Sequence, residues 1–235
     1  MPKMSEVKKS SARKILVPKK EVKKNEEISA TPKITPVKPK GPIAILCHWR
    51  TGSSVLAKVL RACGMIIGNE QTLWDSITCE NQCEHSLMNQ AGDQISLGNN
   101  LEKNKVLAKS ILLAYKAEAT KHGWDNYGLK FTHALQATCW AELKAIFEEC
   151  WPDARYVISR RSVEQIIAAM NDPNWPEQKI KDSYTSCEAA VNYLVKEKGA
   201  FIINYPDDHS SGEIKKVVEA LGLTWTKEAE GVFSK

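Results

Sequence analysis

From Pro42 onward the chain alternates short apolar runs with segments whose apolar residues recur at helical spacing. Ile43-Ala44-Ile45-Leu46-Cys47 is apolar at every position, the pattern of a strand covered on both faces. A polar loop, His48 to Ser54, follows it. Val55, Leu56, Val59, Leu60 and Cys63 then share one helical face, and Gly64 stands where that helix ends. The same reading places a helix through Leu107, Ile111, Leu112, Tyr115 and Ala119 to Gly123, and a strand over Tyr127–Phe131. A further helix carries Ala137, Trp140, Leu143, Ile146, Phe147 and Cys150, broken at Trp151-Pro152-Asp153, and Arg155–Ser159 is a strand. Val163 to Met170 is helical, Asn171–Pro176 is a loop, and Ile180, Tyr184, Cys187, Val191 and Leu194 mark a long helix ended by Gly199. Ala200–Asn204 is a strand, and Ile214, Val217, Val218 and Leu221 form a helix before Gly222. Four strands alternating with helices predict an α/β fold with a parallel sheet flanked by helices, which binds ligands at the C-terminal ends of its strands. Tyr115, Trp140, Phe147 and Tyr184 are expected in its core.

Composition changes this picture mainly at the N-terminus. The chain has 235 residues and a formal charge of +5. Residues 1–41 hold 12 Lys and Arg against 4 Glu, a net of +8, with half of the ten prolines and no aromatic residue. Such a segment buries too little apolar surface to offset its ordering entropy and is expected to be a disordered basic tail, able to contact an anionic partner. It lacks the aromatics that stack on bases, so specific nucleic-acid reading is not expected. Residues 42–235 carry a net of −3 and form the expected folded domain. No apolar run approaches the ~18 residues of a membrane span, and no apolar leader follows the first charges, so a cytoplasmic protein is expected. Seven irregularly spaced cysteines fit a reducing compartment better than a disulfide framework. Cys79, Cys83 and His85 lie close together, but no second Cys/His pair at zinc-like spacing completes four ligands, so no metal is expected.

The chemistry concentrates in Cys47-His48-Trp49-Arg50-Thr51-Gly52-Ser53-Ser54, between the first strand and the first helix. A loop there aims backbone N–H groups and the positive end of a helix at one point, which suits phosphate or sulfate. Arg50 adds a permanent charge, Thr51, Ser53 and Ser54 add hydroxyls, and Gly52 permits close approach of the backbone. Against the nucleotide-binding pattern G-x-x-x-x-G-K-[ST], Gly52 takes the second glycine and Ser53 stands where the lysine belongs. An ordinary ATPase, GTPase or kinase is therefore disfavoured.

RTGSS after a strand, followed by VLAKVLRACG and MIIG, resembles the sulfotransferases that use 3′-phosphoadenosine 5′-phosphosulfate (PAPS), among them bacterial and carbohydrate-type members. Trp151–Arg160 (WPDARYVISR) is similar to their second signature, where a strand ending in Arg is followed eight residues on by a Ser that binds the 3′-phosphate. Arg160 fits the Arg; the Ser position is Ala168, or Ala169 if Arg161 is the match, and Ser159 and Ser162 are the nearby hydroxyls. GAFIINYPDD with the helix to LGL resembles the late strand and closing helix, and Glu80-Asn81 with Leu87 and Asn89 resembles an "EN…LN" segment. The resemblance spans residues 42–225. It implies a three-layer α/β fold of the P-loop NTPase-like sulfotransferase kind, PAPS as co-substrate without a metal, and sulfuryl transfer to a hydroxyl or amine on a small molecule, glycan or peptide.

It also implies roles. Arg50, Thr51, Gly52, Ser53 and Ser54 would hold the phosphosulfate, and Arg160 and Arg161 the 3′-phosphate. His133, in YGLKFTH, matches a "K-T-H" segment with one residue intervening, and would take the acceptor's proton, with Lys130 contacting substrate or the leaving phosphate. Glu80 is the competing base. Trp49 would stack on adenine or line the acceptor pocket. Two other readings stay open: a non-catalytic phosphate- or nucleotide-binding module tethered by its basic tail, and a divergent P-loop kinase.

Overall fold

The computed structural model describes residues 41–67, 74–76, 79–170, 172–210 and 212–232. The expectation of a disordered tail lies outside them, except that the first strand begins at Gly41, one residue inside that segment.

The continuous apolar run becomes β1, Gly41–Cys47, the centre of the sheet. Parallel strands β4 (Asn126–Phe131) and β5 (Arg155–Arg160) flank it, with Ile45 opposite Lys130 and Leu46 opposite Ile158. β6 (Phe201–Asn204) extends the sheet beyond β5, and β3 (Cys79–Glu84) extends it beyond β4, both parallel. β2 (Trp74–Ser76) closes the edge antiparallel to β3. The order β2-β3-β4-β1-β5-β6 contains the four strands expected from the sequence and two that were not.

Alternate β1 residues enter separate cores, which is why the run needs no polar position. Ile43 and Ile45 pack with Val157 and Ile203 under α1 (Ser53–Ala62), α8 (Glu213–Ala220) and α9 (Lys227–Val232). Ala44 and Leu46 pack with Leu129, Phe131 and Ile158 beneath α2 (Ser86–Ser96), α3 (Leu101–His122), α4 (Ala137–Cys150) and α6 (Glu177–Lys198). Two short helices, α5 (Val163–Ala169) and α7 (Asp207–Ser210), follow β5 and β6. Tyr115, Trp140 and Phe147 are core residues as expected, whereas Tyr184 is only half-buried, its ring beside the Arg160 guanidinium.

The sheet holds together tightly at β1 and β4. A Cβ on Gly128 would lie 1.8 Å from the Ile43 carbonyl oxygen, so only glycine allows this approach. At the opposite end from the loops, Arg155 donates to the carbonyls of Leu221 and Gly41 and to Asn126 Oδ1, tying β1, β4 and the α8 end together. Burial lowers its pKa to about 10. The described cysteines 47, 63, 83, 139, 150 and 187 are all buried. Among the described residues, no helix is long and apolar enough to cross a membrane.

Topology fixes where a ligand can enter. β1 passes the chain to the α1 face, while β4 and β5 pass it to the face of α4 and α6. Connections that diverge this way leave a crevice at the C-terminal end of β1, between the ends of its two neighbours.

Candidate active site

A cavity of about 650 Å³ fills that crevice. Residues 49–55 form one wall, the ends of β3 and β4 supply Glu84, Lys130, Thr132 and His133, and α2 supplies Asn89 and Asp93. Arg161, Met170, Asp172, Trp175 and Tyr205 complete it.

The loop is held by its own hydroxyls. Thr51 is buried, its Oγ1 donating to the His48 carbonyl at 2.9 Å, and its carbonyl accepts from Ser159 Oγ at 2.6 Å. These two hydroxyls shape the loop and are spent in doing so. Gly52 adopts φ 77°, and a Cβ there would lie 2.3 Å from Tyr205 Cδ2. Glycine is thus required twice, for backbone conformation and for space. α1 starts at Ser53 with no side chain capping its first amides and no acidic residue in its first turn. Ser53, Ser54 and Val55 line the cavity, which brings the positive end of the helix to it. Arg50 is exposed at the mouth, and its carbonyl accepts from Arg161 Nη1 at 3.2 Å.

A lysine reaches the loop from the neighbouring strand, β4. Lys130 is 2% exposed, and its Nζ lies 3.0 Å from Ser54 Oγ and 2.5 Å from Glu84 Oε1. Glu84 also accepts from Thr132 Oγ1 at 2.5 Å and from Asn89 Nδ2 at 2.5 Å. A buried charge is tolerable only when paired and hydrogen-bonded, and this carboxylate is both. The result is an ammonium fixed under the start of α1. Glu84 sits opposite Lys130 in the β3–β4 register, so backbone pairing delivers one to the other.

On the other side of the cavity, His133 Nε2 lies 3.0 Å from Asp93 Oδ1 and accepts the Trp49 indole N–H at 3.3 Å. Burial lowers the His133 pKa, against the pull of Asp93, and burial raises that of Asp93. Trp49 meets Trp175 edge to face, with ring centroids 4.0 Å apart. His48 lies behind the loop, its Nε2 3.0 Å from Ser183 Oγ. Burial depresses its pKa to about 4.

The structure brings some of the residues singled out in the sequence together and not others. Arg50, Thr51, Gly52, Ser53, Ser54, Lys130, His133 and Trp49 do converge on one cavity. Arg161 reaches it, but Arg160 is not among its lining residues. Arg160 instead donates to Tyr184 OH at 3.1 Å and pairs with Glu188 on α6. Ala168 is exposed and offers no hydroxyl. Glu80, the competing base, belongs to β3, and its side chain lies outside the described residues. His85 caps α2, its Nδ1 accepting from the Met88 amide at 3.3 Å. Sequence reasoning gave no role to Glu84, Asp93, Asn89, Asp172, Trp175 or Tyr205, although Asn89 and Tyr205 lie in the EN…LN and GAFIINYPDD segments that carried the resemblance.

No family model matches the chain, and no curated protein matches it. Solved structures do. The sulfotransferase STF1 from Mycobacterium tuberculosis H37Rv is 15% identical with a TM-score of 0.49, over 83% of this chain and 71% of that one. The sulfotransferase domain of the curacin biosynthetic pathway is 15% identical with a TM-score of 0.49, over 83% and 78%. A sugar kinase from Janibacter sp. HTCC2649 is 13% identical with a TM-score of 0.48, over 83% and 98%.

Proposed function

We propose that this chain is a sulfotransferase that moves a sulfuryl group from PAPS to a hydroxyl or amine acceptor. One observation carries the reading: an anion-binding wall and a proton-accepting pair open on the same cavity. The wall is Lys130, Ser54, the uncapped start of α1 and Arg50. The pair is His133 with Asp93.

The residues divide the work as follows. The α1 amides, Lys130 and Arg50 hold the phosphosulfate end and balance the charge that builds on the leaving phosphate, the kind of fixed stabilisation that dominates catalysis. His133 takes the proton from the acceptor as its oxygen or nitrogen attacks sulfur and the bond from sulfur to the phosphate oxygen breaks. Lys130 comes from β4 and not from the loop, and its ammonium is already paired with Glu84, so it acts as a positioned charge with a defined direction.

The donor fits this chain at one end better than at the other. Its phosphosulfate meets a built site. Its 3′-phosphate would meet Arg161 beside Tyr205, because Arg160 is engaged by Glu188 and Ala168 brings no hydroxyl. That difference favours a second reading, a phosphate-binding module that uses the wall without transferring a group.

Calorimetric titration separates the possibilities. Adenosine 3′,5′-bisphosphate is expected to bind in the micromolar range, with at least tenfold loss in Lys130→Ala and Arg50→Ala. ATP with Mg²⁺ binding in its place would support a kinase. Anion binding with no turnover of PAPS against a panel of hydroxyl and amine acceptors would support the module. Binding of neither nucleotide overturns the proposal.

A further inference from the structure

His133 Nε2 has two neighbours that make opposite demands on it. The Trp49 indole N–H can only donate, so its contact at 3.3 Å needs a lone pair on Nε2. The Asp93 carboxylate at 3.0 Å needs a proton there. One ring nitrogen cannot satisfy both. We infer that Trp49 is a positioning residue that holds the His133 proton on Nδ1, and that its withdrawal transfers the proton to Nε2, facing Asp93, and leaves Nδ1 as the basic nitrogen.

The indole hydrogen is aimed at Nε2 in the structure, which assigns the lone pair to that atom. Burial works in the same direction on the ring, keeping the imidazole toward its neutral form. Asp93 then acts on the ring through its charge and accepts no N–H from it. With the indole gone, an N–H on Nε2 meets Asp93 directly, and an ion pair becomes available when Nδ1 takes a second proton. The other charged or titratable groups around the ring are Glu84 from β3, His48 from the loop after β1 and Lys130 from β4. Across the cavity lie Asp172 and Arg161. None of them is altered by replacing Trp49, so the variant changes no charged or titratable group around the ring.

The consequence for the site follows from the chain. Trp49 immediately precedes Arg50 and the loop that meets the anion, so a displacement of that loop alters which nitrogen of His133 is basic. This makes the proton acceptor respond to the state of the donor wall. Its use in catalysis rests on the sulfotransferase reading; the proton position does not.

The test is ¹⁵N NMR of the histidine rings in the full chain, with neither donor nor acceptor present, so its failure is separate from failure of that reading. Wild type is expected to show His133 protonated on Nδ1 at neutral pH. Trp49→Phe, which keeps an aromatic ring against Trp175, is expected to move the proton to Nε2 and raise the His133 pKa by about one pH unit. Asp93→Asn is expected to retain the Nδ1 proton and lower the pKa. A wild-type ring protonated on Nε2 overturns the inference whether or not the variants fold. So does a Trp49→Phe protein whose tautomer and pKa match wild type.

Discussion

Gly52 is where one side chain decides the site. Its left-handed backbone and the Tyr205 ring 2.3 Å from a notional Cβ exclude every other residue. Gly52→Ala should cost about 1–2 kcal/mol from the backbone alone. Displacement of Tyr205 adds to that and opens the wall, so adenosine 3′,5′-bisphosphate affinity should fall along with the melting temperature. Unchanged binding would mean that the loop tolerates the shift. His48 yields a prediction of a different kind. Its pKa falls from 6.5 to about 4 on folding, so between those values the unfolded chain binds the proton that the folded chain refuses. The stability it confers is complete above pH 6.5 and lost as pH falls toward 4, on the order of 3 kcal/mol. Burial lowers the pKa of His85 and of His209 as well, and both add to the same slope. Urea unfolding at a series of pH values should therefore show a shallower acid decline in His48→Asn than in wild type, and equal slopes would remove His48 from this role.

Among the elements, those with a strong apolar period were legible and those built on polar sequence were not. β1, β4, β5 and β6 and the helices α1, α3, α4, α5, α6 and α8 follow from apolar runs and stripes because burial selects those residues directly. β3 reads CENQCE, with neither a continuous apolar run nor strict alternation, and its place beside β4 is a tertiary fact. Missing β3 also meant missing Glu84, whose partner Lys130 lies 46 positions away and is reached only through strand register. The loop residues of the site were readable because strand, glycine and helix start adjoin in the chain. The Asp93–His133 contact was not, since it joins two elements 40 positions apart. The β3–β4 pair can be tested as a unit. Lys130→Met or Glu84→Gln alone leaves a buried polar or charged group short of its partner, at about 3–5 kcal/mol each. The double variant should cost less than the sum by ~2 kcal/mol or more in chemical denaturation. Additive costs would mean that the contact does not couple the strands.

For the whole molecule, the formal charge of +5 does not describe the cavity. Residues 1–41 carry +8 and the rest −3, while the cavity gathers its cations locally, from Arg50, Lys130, Arg161 and a helix end, amid Glu84, Asp93 and Asp172. The two sources of positive charge should respond differently to salt. A contact made by many solvated lysines is screened over ~8 Å at physiological ionic strength, whereas an ammonium 2% exposed and paired with a carboxylate is screened far less. A protein lacking residues 1–38 keeps Gly41, whose amide donates to the Asp125 carbonyl at 2.8 Å and whose carbonyl accepts from Arg155 at 2.6 Å, so the start of β1 stays anchored. We expect this truncation to bind adenosine 3′,5′-bisphosphate within about twofold of the full chain and to elute from a sulfated cation-exchange resin at markedly lower salt. Loss of nucleotide binding on truncation would place part of the proposed anion site in the first 38 residues and overturn the proposed division of labour between the basic segment and the cavity.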